Sequence, residues 1–250
     1  MLRRTGCPHP VMRPVPARLA LFGLAAATAL GPGPAPAQVD PHQGHHQHHP
    51  MGHPAPAAAP VDHGAHMHEV GPAGRTYDLR WLDAMVQHHT GALRMSEFVF
   101  DIGQPGVGAL ARSIWSDQAL EIRAMGQWRK AWYPEAPVHP VALKPNGDPS
   151  RMDGLERMGA DQIQAMQMTG STPTPDTRVT WFLEGMLAHH GGALVMAHDA
   201  LRKSTNPTIH RLAREIIVAQ RREIIELRRM LNHDGFNKPI YHQFDALFSF

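Results

Sequence analysis

Residues 81–95, WLDAMVQHHTGALRM, return 101 residues later as FLEGMLAHHGGALVM, residues 182–196. A second pair of matching segments follows, at 110–121 and 212–223. The repeated unit is therefore a pair of segments, and the chain holds two copies of it. We place repeat one at 75–132, a linker at 133–175 and repeat two at 176–233.

Each segment has the period of an amphipathic helix. At about 100° per residue, Trp81, Met85, His88 and Met95 fall on one face, whereas Asp83 falls largely outside it. Two helical hairpins with matching apolar stripes bury them best against each other. The sequence thus predicts an all-α four-helix bundle over 75–233, with a short helix in the linker near 154–168. The aromatic-rich C-terminal tail, 234–250, would lie on the bundle surface or on a second subunit of a homodimer.

The first 37 residues have the pattern of a secretory signal peptide. Four arginines precede an apolar run at 19–30, and a small-x-small site follows at 35–37. The run is too short to span a bilayer comfortably. Cleavage there would remove Cys7, the only cysteine of the 250 residues. It would also leave a net charge of −2, because the leader holds four of the 24 basic residues and none of the 22 acidic ones. We therefore expect a periplasmic or secreted protein without thiol ligands, without membrane insertion after cleavage and without a nucleic-acid footprint.

Residues 38–74 are rich in His, Pro, Ala and Gly and contain few residues able to form a core. Such a composition predicts disorder. Clustered imidazoles on a flexible chain can capture metal ions, although a linker of drifting composition would look the same. The histidines of this tail are His42, His45, His46, His48, His49, His53, His63, His66 and His68.

The inward faces of the two repeats hold four histidines and four methionines at matching positions. Thioether and imidazole one turn apart favour soft ions, Cu(I) or Ag(I), and Cu(II), zinc or nickel remain alternatives. The predicted ligands are Met85, His88, His89, Met95, Met186, His189, His190 and Met196. Gln118, Glu121, Gln220 and Glu223 face inward on the partner helices, where they would orient the imidazoles or simply pair the helices by hydrogen bonds.

These motifs resemble the domain-of-unknown-function family 305, which is grouped with ferritin-like four-helix proteins. The resemblance rests on Asp78-x-x-Trp81, on the doubled His-His-x-Gly-Ala-x-x-Met element and on the Gln-x-x-Glu helices, and it covers about 75–233. It implies a periplasmic copper-binding protein that acts in metal resistance through the eight ligands above. Repeat two has Val179 where repeat one has Asp78, so the resemblance assigns that acid no role in the second half.

Copper sequestration or transfer without catalytic turnover is the function we predict, with metal ions and a periplasmic copper exporter or chaperone as partners. A di-iron oxidase needs more inward glutamates and Glu-x-x-His pairs, which this sequence lacks. Haem would have to bind noncovalently, since no Cys-x-x-Cys-His motif is present. A structural or partner-binding helical module, in which His and Met merely pack, remains the alternative from a different class.

Overall fold

The computed structural model describes residues 68–103, 106–233 and 235–250. The leader and the predicted tail up to residue 67 lie outside this part. Four long helices dominate, as the repeat predicts: α1 (Tyr77–Glu97), α2 (Val107–Trp132), α4 (Arg178–Lys203) and α5 (Pro207–His233). A short helix α3 (Ala160–Gln167) and two strands, β1 (Val141–Leu143) and β2 (Leu155–Arg157), occupy the linker. The prediction of an all-α bundle of two hairpins is confirmed.

The two motif helices, α1 and α4, pack antiparallel through the centre of the bundle. Near one end, the Trp81 indole donates to the Met196 carbonyl at 2.9 Å and the Tyr77 hydroxyl donates to Asp199 at 2.9 Å. At the midpoint, His88 meets His189, its own equivalent in the other repeat. Equivalent residues in contact at the midpoint of two antiparallel helices define a pseudo-two-fold axis.

Each motif helix forms a hairpin with the helix that follows it. The turn between α4 and α5 is fixed locally, because the Asn206 side chain accepts a hydrogen bond from the Thr208 amide at 2.9 Å and Pro207 occupies the first helical position. The buried apolar faces of the four helices form two core clusters, and side chains of all four helices contribute to each; Trp81, Met85, Met196 and Ile216 belong to the first. Packing of these stripes, rather than capping alone, stabilises helices of this length.

The linker differs from its prediction. The short helix begins at Ala160 instead of Gly154, because residues 155–157 pair antiparallel with 141–143. Asp83, expected largely outside the buried face, is only 4% exposed and accepts hydrogen bonds from the Val141 amide at 2.9 Å and from the Arg129 guanidinium. A buried carboxylate on α1 thus ties the first strand to the helix.

Residues 68–74 pack against the bundle, although the sequence predicts disorder up to Gly74. The buried Arg80 guanidinium donates to the carbonyls of Val70 and, at 2.7 Å, Pro72. The Lys203 ammonium donates to the Gly71 carbonyl at 3.0 Å. The composition of this stretch alone could not predict that it packs, because the side chains that bind its carbonyls lie on α1 and α4.

The C-terminal segment folds onto its own bundle. Two 3₁₀ turns, Pro239–His242 and Asp245–Leu247, follow α5. Tyr241 is buried, and the Phe244 ring lies so close to Gly191 that a Cβ there would come within 2.1 Å of it. Within the described ranges, no helix is both long and apolar enough for a membrane span.

Candidate metal centre

The centre of the bundle holds two histidines in close contact, one from each repeat. His88 on α1 and His189 on α4 are both fully buried, and their ring centroids lie 3.7 Å apart with the planes tilted by 43°. The His189 Nε2–H donates to the His88 carbonyl at 2.8 Å. Because His88 and His189 are equivalent in the repeat, the doubled motif brings its own first histidines together.

The second histidine of each motif contacts a carboxylate of the partner helix in its own hairpin. His89 Nε2 lies 2.6 Å from Glu121 Oε2 on α2, and His190 Nε2 lies 2.7 Å from Glu223 Oε2 on α5. The first contact is a well-aligned hydrogen bond, whereas the second is close but poorly aligned. The sequence prediction placed these glutamates beside the imidazoles, and the structure brings both pairs together.

These contacts determine which nitrogen of each ring has a free lone pair. A neutral imidazole has one N–H donor and one acceptor nitrogen. Since His89 and His189 donate through Nε2, their acceptor is Nδ1, and both Nδ1 atoms are buried without a hydrogen-bond partner. His190 Nδ1 is in the same state, and neither ring nitrogen of His88 has a hydrogen-bond partner. Four buried rings therefore present unpaired nitrogens inside the bundle.

Burial also keeps the central pair neutral. Desolvation, and then the neighbouring imidazole of His189, lower the pKa of His88 well below its ordinary value of 6.5. Desolvation, and then His190, lower the pKa of His189 in the same way. Neutral imidazole is the form that binds metal ions, so protons do not compete with a metal for this pair near neutral pH.

Two buried amides repeat the pattern of unpaired groups. Gln118 on α2 and Gln220 on α5 are 3% and 2% exposed, and neither their nitrogens nor their oxygens have hydrogen-bond partners. A buried polar group without a partner costs about 1–3 kcal/mol. The same residue type is therefore unpaired at equivalent positions of both repeats.

The four predicted methionines are fully or almost fully buried and divide between two core clusters. Met85 and Met196 belong to one, and Met95 and Met186 belong to the other. Met125 of α2 joins Met85 and Met196. Its equivalent in repeat two is Leu227, so repeat one contributes a thioether that repeat two does not.

The predicted residues do not form one preassembled cage. Among the described residues, no three side chains of His, Cys, Asp or Glu are placed to hold one metal ion together. Asp78, whose role the sequence left open, lies in the first turn of α1, where a carboxylate favourably meets the helix dipole. It precedes His88 by ten residues, about 15 Å along a helix, and so stands apart from the centre.

Two residues near the centre were not predicted to belong there. His68, assigned to the tail, is 3% exposed, and its ring centroid lies 5.6 Å from that of His88. Asp117 on α2 has its pKa raised by partial burial and then by the negative charges of Glu223 and Glu121. Asp117 precedes Glu121 by one helical turn, which could have suggested its position. No pattern in the sequence could have indicated His68, because it is one of nine similar histidines in this segment.

The chain is similar to a curated protein and to several solved structures. The curated "Uncharacterized protein L153" of Acanthamoeba polyphaga mimivirus is 30% identical over 60 residues, 24% of this chain and 40% of that protein, so the chain spans less than half of it. A solved structure described as "CopM in the Cu(I)-bound form" is 24% identical and has a TM-score of 0.46, covering 62% of this chain and 96% of that one.

A second solved structure, a DUF305 fragment from Deinococcus radiodurans, is 27% identical with a TM-score of 0.44, covering 65% of this chain and 99% of that one. The family described as "Domain of unknown function (DUF305)" matches over residues 34–128 and 78–231, the second of which alone is more than half of the chain. This protein therefore belongs to the DUF305 family.

Proposed function

We propose that this protein binds copper, chiefly Cu(I), outside the cytoplasm, for sequestration, resistance or transfer and without catalytic turnover. The observation that supports this most strongly is the set of buried imidazoles with unpaired nitrogens at His88, His89, His189 and His190. Coordination of a cation would satisfy these nitrogens, whose burial is otherwise unfavourable. The bundle core is thus suited to a metal ion as cargo.

The ligand types favour a soft monovalent ion. Thioether sulfur and imidazole select Cu(I), whereas Mg, Ca and Mn require oxygen ligands. The nearest carboxylates, Glu121 and Glu223, are directed at His89 and His190. A carboxylate that accepts a hydrogen bond from a metal-binding imidazole fixes its tautomer and raises its basicity. Ag(I), which resembles Cu(I) in softness, would bind the same residues.

Negative charge beside the outer histidines supports cation binding. Glu121 and Glu223 are 24% and 16% exposed at their side chains, and Asp117 lies within their electrostatic reach. Their negative charges would raise the local concentration of cations. The leader pattern at 1–37 and the histidines at 42–66 support a role in capturing metal outside the cytoplasm.

Cu(I) competition against a colorimetric chelator tests the proposal. The full chain would be used with the eight histidines from His42 to His66 replaced by Asn, so that the tail does not mask the bundle. We expect this background to bind Cu(I) and the added changes His88→Gln and His189→Gln to abolish that binding. A matched control is His198→Gln with His210→Gln, since these imidazoles contact the carbonyls of Leu247 and Ser204.

Retained Cu(I) binding after loss of His88 and His189 would contradict the bundle site. If no variant binds copper, a packing-only helical module becomes the better description. Oxygen consumption by the copper- or iron-loaded chain would instead support a ferritin-like oxidase.

A further inference from the structure

We propose that His68 is a metal ligand of the bundle centre, so that the histidine-rich segment and the helices share one Cu(I) site. This inference rests on the proposed function and adds a third imidazole to the pair formed by His88 and His189. It also assigns His68, the first described residue, a role inside the bundle, beyond the capture of ions at a distance.

The position of the ring is the first support. His68 is 3% exposed, and its ring lies edge-on to His88 at a centroid separation of 5.6 Å and an interplanar angle of 76°. With metal–nitrogen bonds of about 2.0 Å, two imidazoles on one ion have centroids roughly 5–6 Å apart. His68 and His88 already have the separation of two ligands of the same ion.

A gap in the helix surface admits this ring. A Cβ on Gly192 would lie 2.7 Å from His68 Cε1 and 2.8 Å from Nε2, distances that real Cβ contacts do not show. Any larger residue at this position would push the imidazole away from α4. Gly192 follows His189-His190-Gly191 in the motif, so the motif itself provides the opening.

In repeat one, the space beside the equivalent glycine, Gly91, is filled by the backbone of Gln167. A Cβ on Gly91 would lie 1.8 Å from the Gln167 carbonyl oxygen at the end of α3. Both repeats therefore keep a glycine at this position, but the two glycines accommodate different neighbours. The imidazole reaches only one side of the pseudo-symmetric centre, which predicts one shared site per chain.

The chain just after His68 is firmly held. Arg80 binds the carbonyls of Val70 and Pro72, and Lys203 binds that of Gly71. These contacts fix the backbone two to four residues from the ring and lower the entropy lost when the imidazole binds an ion. His88 and His189, at 3.7 Å between centroids, must move apart by about 2 Å to become co-ligands by the same bond-length estimate. Side-chain rotation would provide that movement.

The test uses the full chain with His42 to His66 replaced by Asn. We expect His68→Gln to weaken Cu(I) binding by at least about tenfold, the lower end of the losses seen when metal-site support is removed. X-ray absorption should show the average number of imidazole ligands falling from three to two. Gly192→Ala should reproduce both effects by displacing the ring, and the double change should be no worse than either alone.

The matched control is Gly191→Ala, whose methyl group meets Phe244 instead of His68. Circular dichroism would establish that each variant is folded, and should Gly192→Ala unfold, His68→Gln decides alone. Unchanged affinity and ligand number in His68→Gln, with loss of binding in His88→Gln/His189→Gln, would overturn this inference and leave the proposed function standing. Unchanged binding in both variants would overturn the proposed function itself.

Discussion

The two central imidazoles determine how the metal-free protein responds to acid. His88 and His189 are fully buried, and burial lowers the pKa of each well below 6.5. In the unfolded chain both would titrate near 6.5. Between the folded and unfolded pKa values the unfolded chain binds more protons, so stability is present above about pH 6.5 and declines as the pH falls below it.

Urea unfolding of the metal-free chain at pH 7.5 and 5.5 would measure this decline. Each central histidine should contribute up to about 1.4 kcal/mol per pH unit. Because only the pH unit below 6.5 counts, the stability of His88→Gln/His189→Gln should decline by up to about 3 kcal/mol less than that of the parent chain over this range. His198→Gln/His210→Gln removes one histidine of α4 and one of α5, both away from the centre, and should retain the parent's dependence. An equal decline in the parent and the central variant would contradict the assignment.

The glutamates that contact the outer histidines should affect copper binding more than stability. Glu121→Ala and Glu223→Ala remove the carboxylates that contact His89 and His190, and losses of about 10–100-fold in Cu(I) affinity are expected for such contacts. Asp117→Ala is the control, because Asp117 shares their charge environment. A similar loss in Asp117→Ala would mean that the glutamates act through their charge alone, and would refute the orienting role.

At the scale of helices and strands, the sequence was informative wherever a period ran long enough. The stripes at 81–95 and 182–196 predicted α1 and α4, together with the burial of their histidines and methionines. The strands β1 and β2 have only three residues each, too few for an alternating pattern. Their position depends on Asp83, whose partners Arg129 and Val141 come from distant parts of the chain. Helical period cannot report such long-range pairing.

The equivalent acids Asp83 and Glu184 provide a paired test of these connections. Asp83 is 5% exposed at its side chain and pairs with Arg129, whereas Glu184 is 34% exposed, pairs with Lys238 and accepts a hydrogen bond from the Tyr241 hydroxyl. Removing one partner of a buried ion pair costs about 3–5 kcal/mol, and an exposed pair contributes at most about 1 kcal/mol. Urea unfolding should thus find Asp83→Ala far less stable than Glu184→Ala. Equal losses of stability would show that the burial of Asp83 does not strengthen its contribution to the fold.

Across the whole molecule, the doubled motif is consistent with a symmetric centre, but the two halves have diverged around it. Met125 has Leu227 as its counterpart and Asp117 has Ala219. The meeting of His88 with His189 follows from two antiparallel copies of one helix. The arrival of His68 does not, because it depends on contacts of Arg80 and Lys203 with backbone carbonyls, which no side-chain pattern encodes. The contact between the two repeats could therefore be predicted from the sequence, whereas the asymmetric position of His68 could not.

The division of the methionines between two core clusters gives a test of how the whole centre selects its ion. Met85→Leu/Met196→Leu and Met95→Leu/Met186→Leu each remove two thioethers from one side, and Met to Leu is a nearly volume-conserving change that costs less than about 1.5 kcal/mol of stability.

If sulfur binds the ion, each of these two double variants should lose about tenfold in its affinity for Cu(I) and Ag(I), equivalent to about 1.4 kcal/mol. Its affinity for Zn(II) should stay constant, because zinc prefers His, Cys and carboxylate ligands. Met158→Leu/Met166→Leu, buried in the core outside the repeat, is the control for packing. Parallel losses for zinc and copper would show that the methionines fill space and that the imidazoles alone hold the metal. Competition titrations of all three double variants with each ion separate these outcomes, because only direct sulfur ligation makes the loss depend on the softness of the ion.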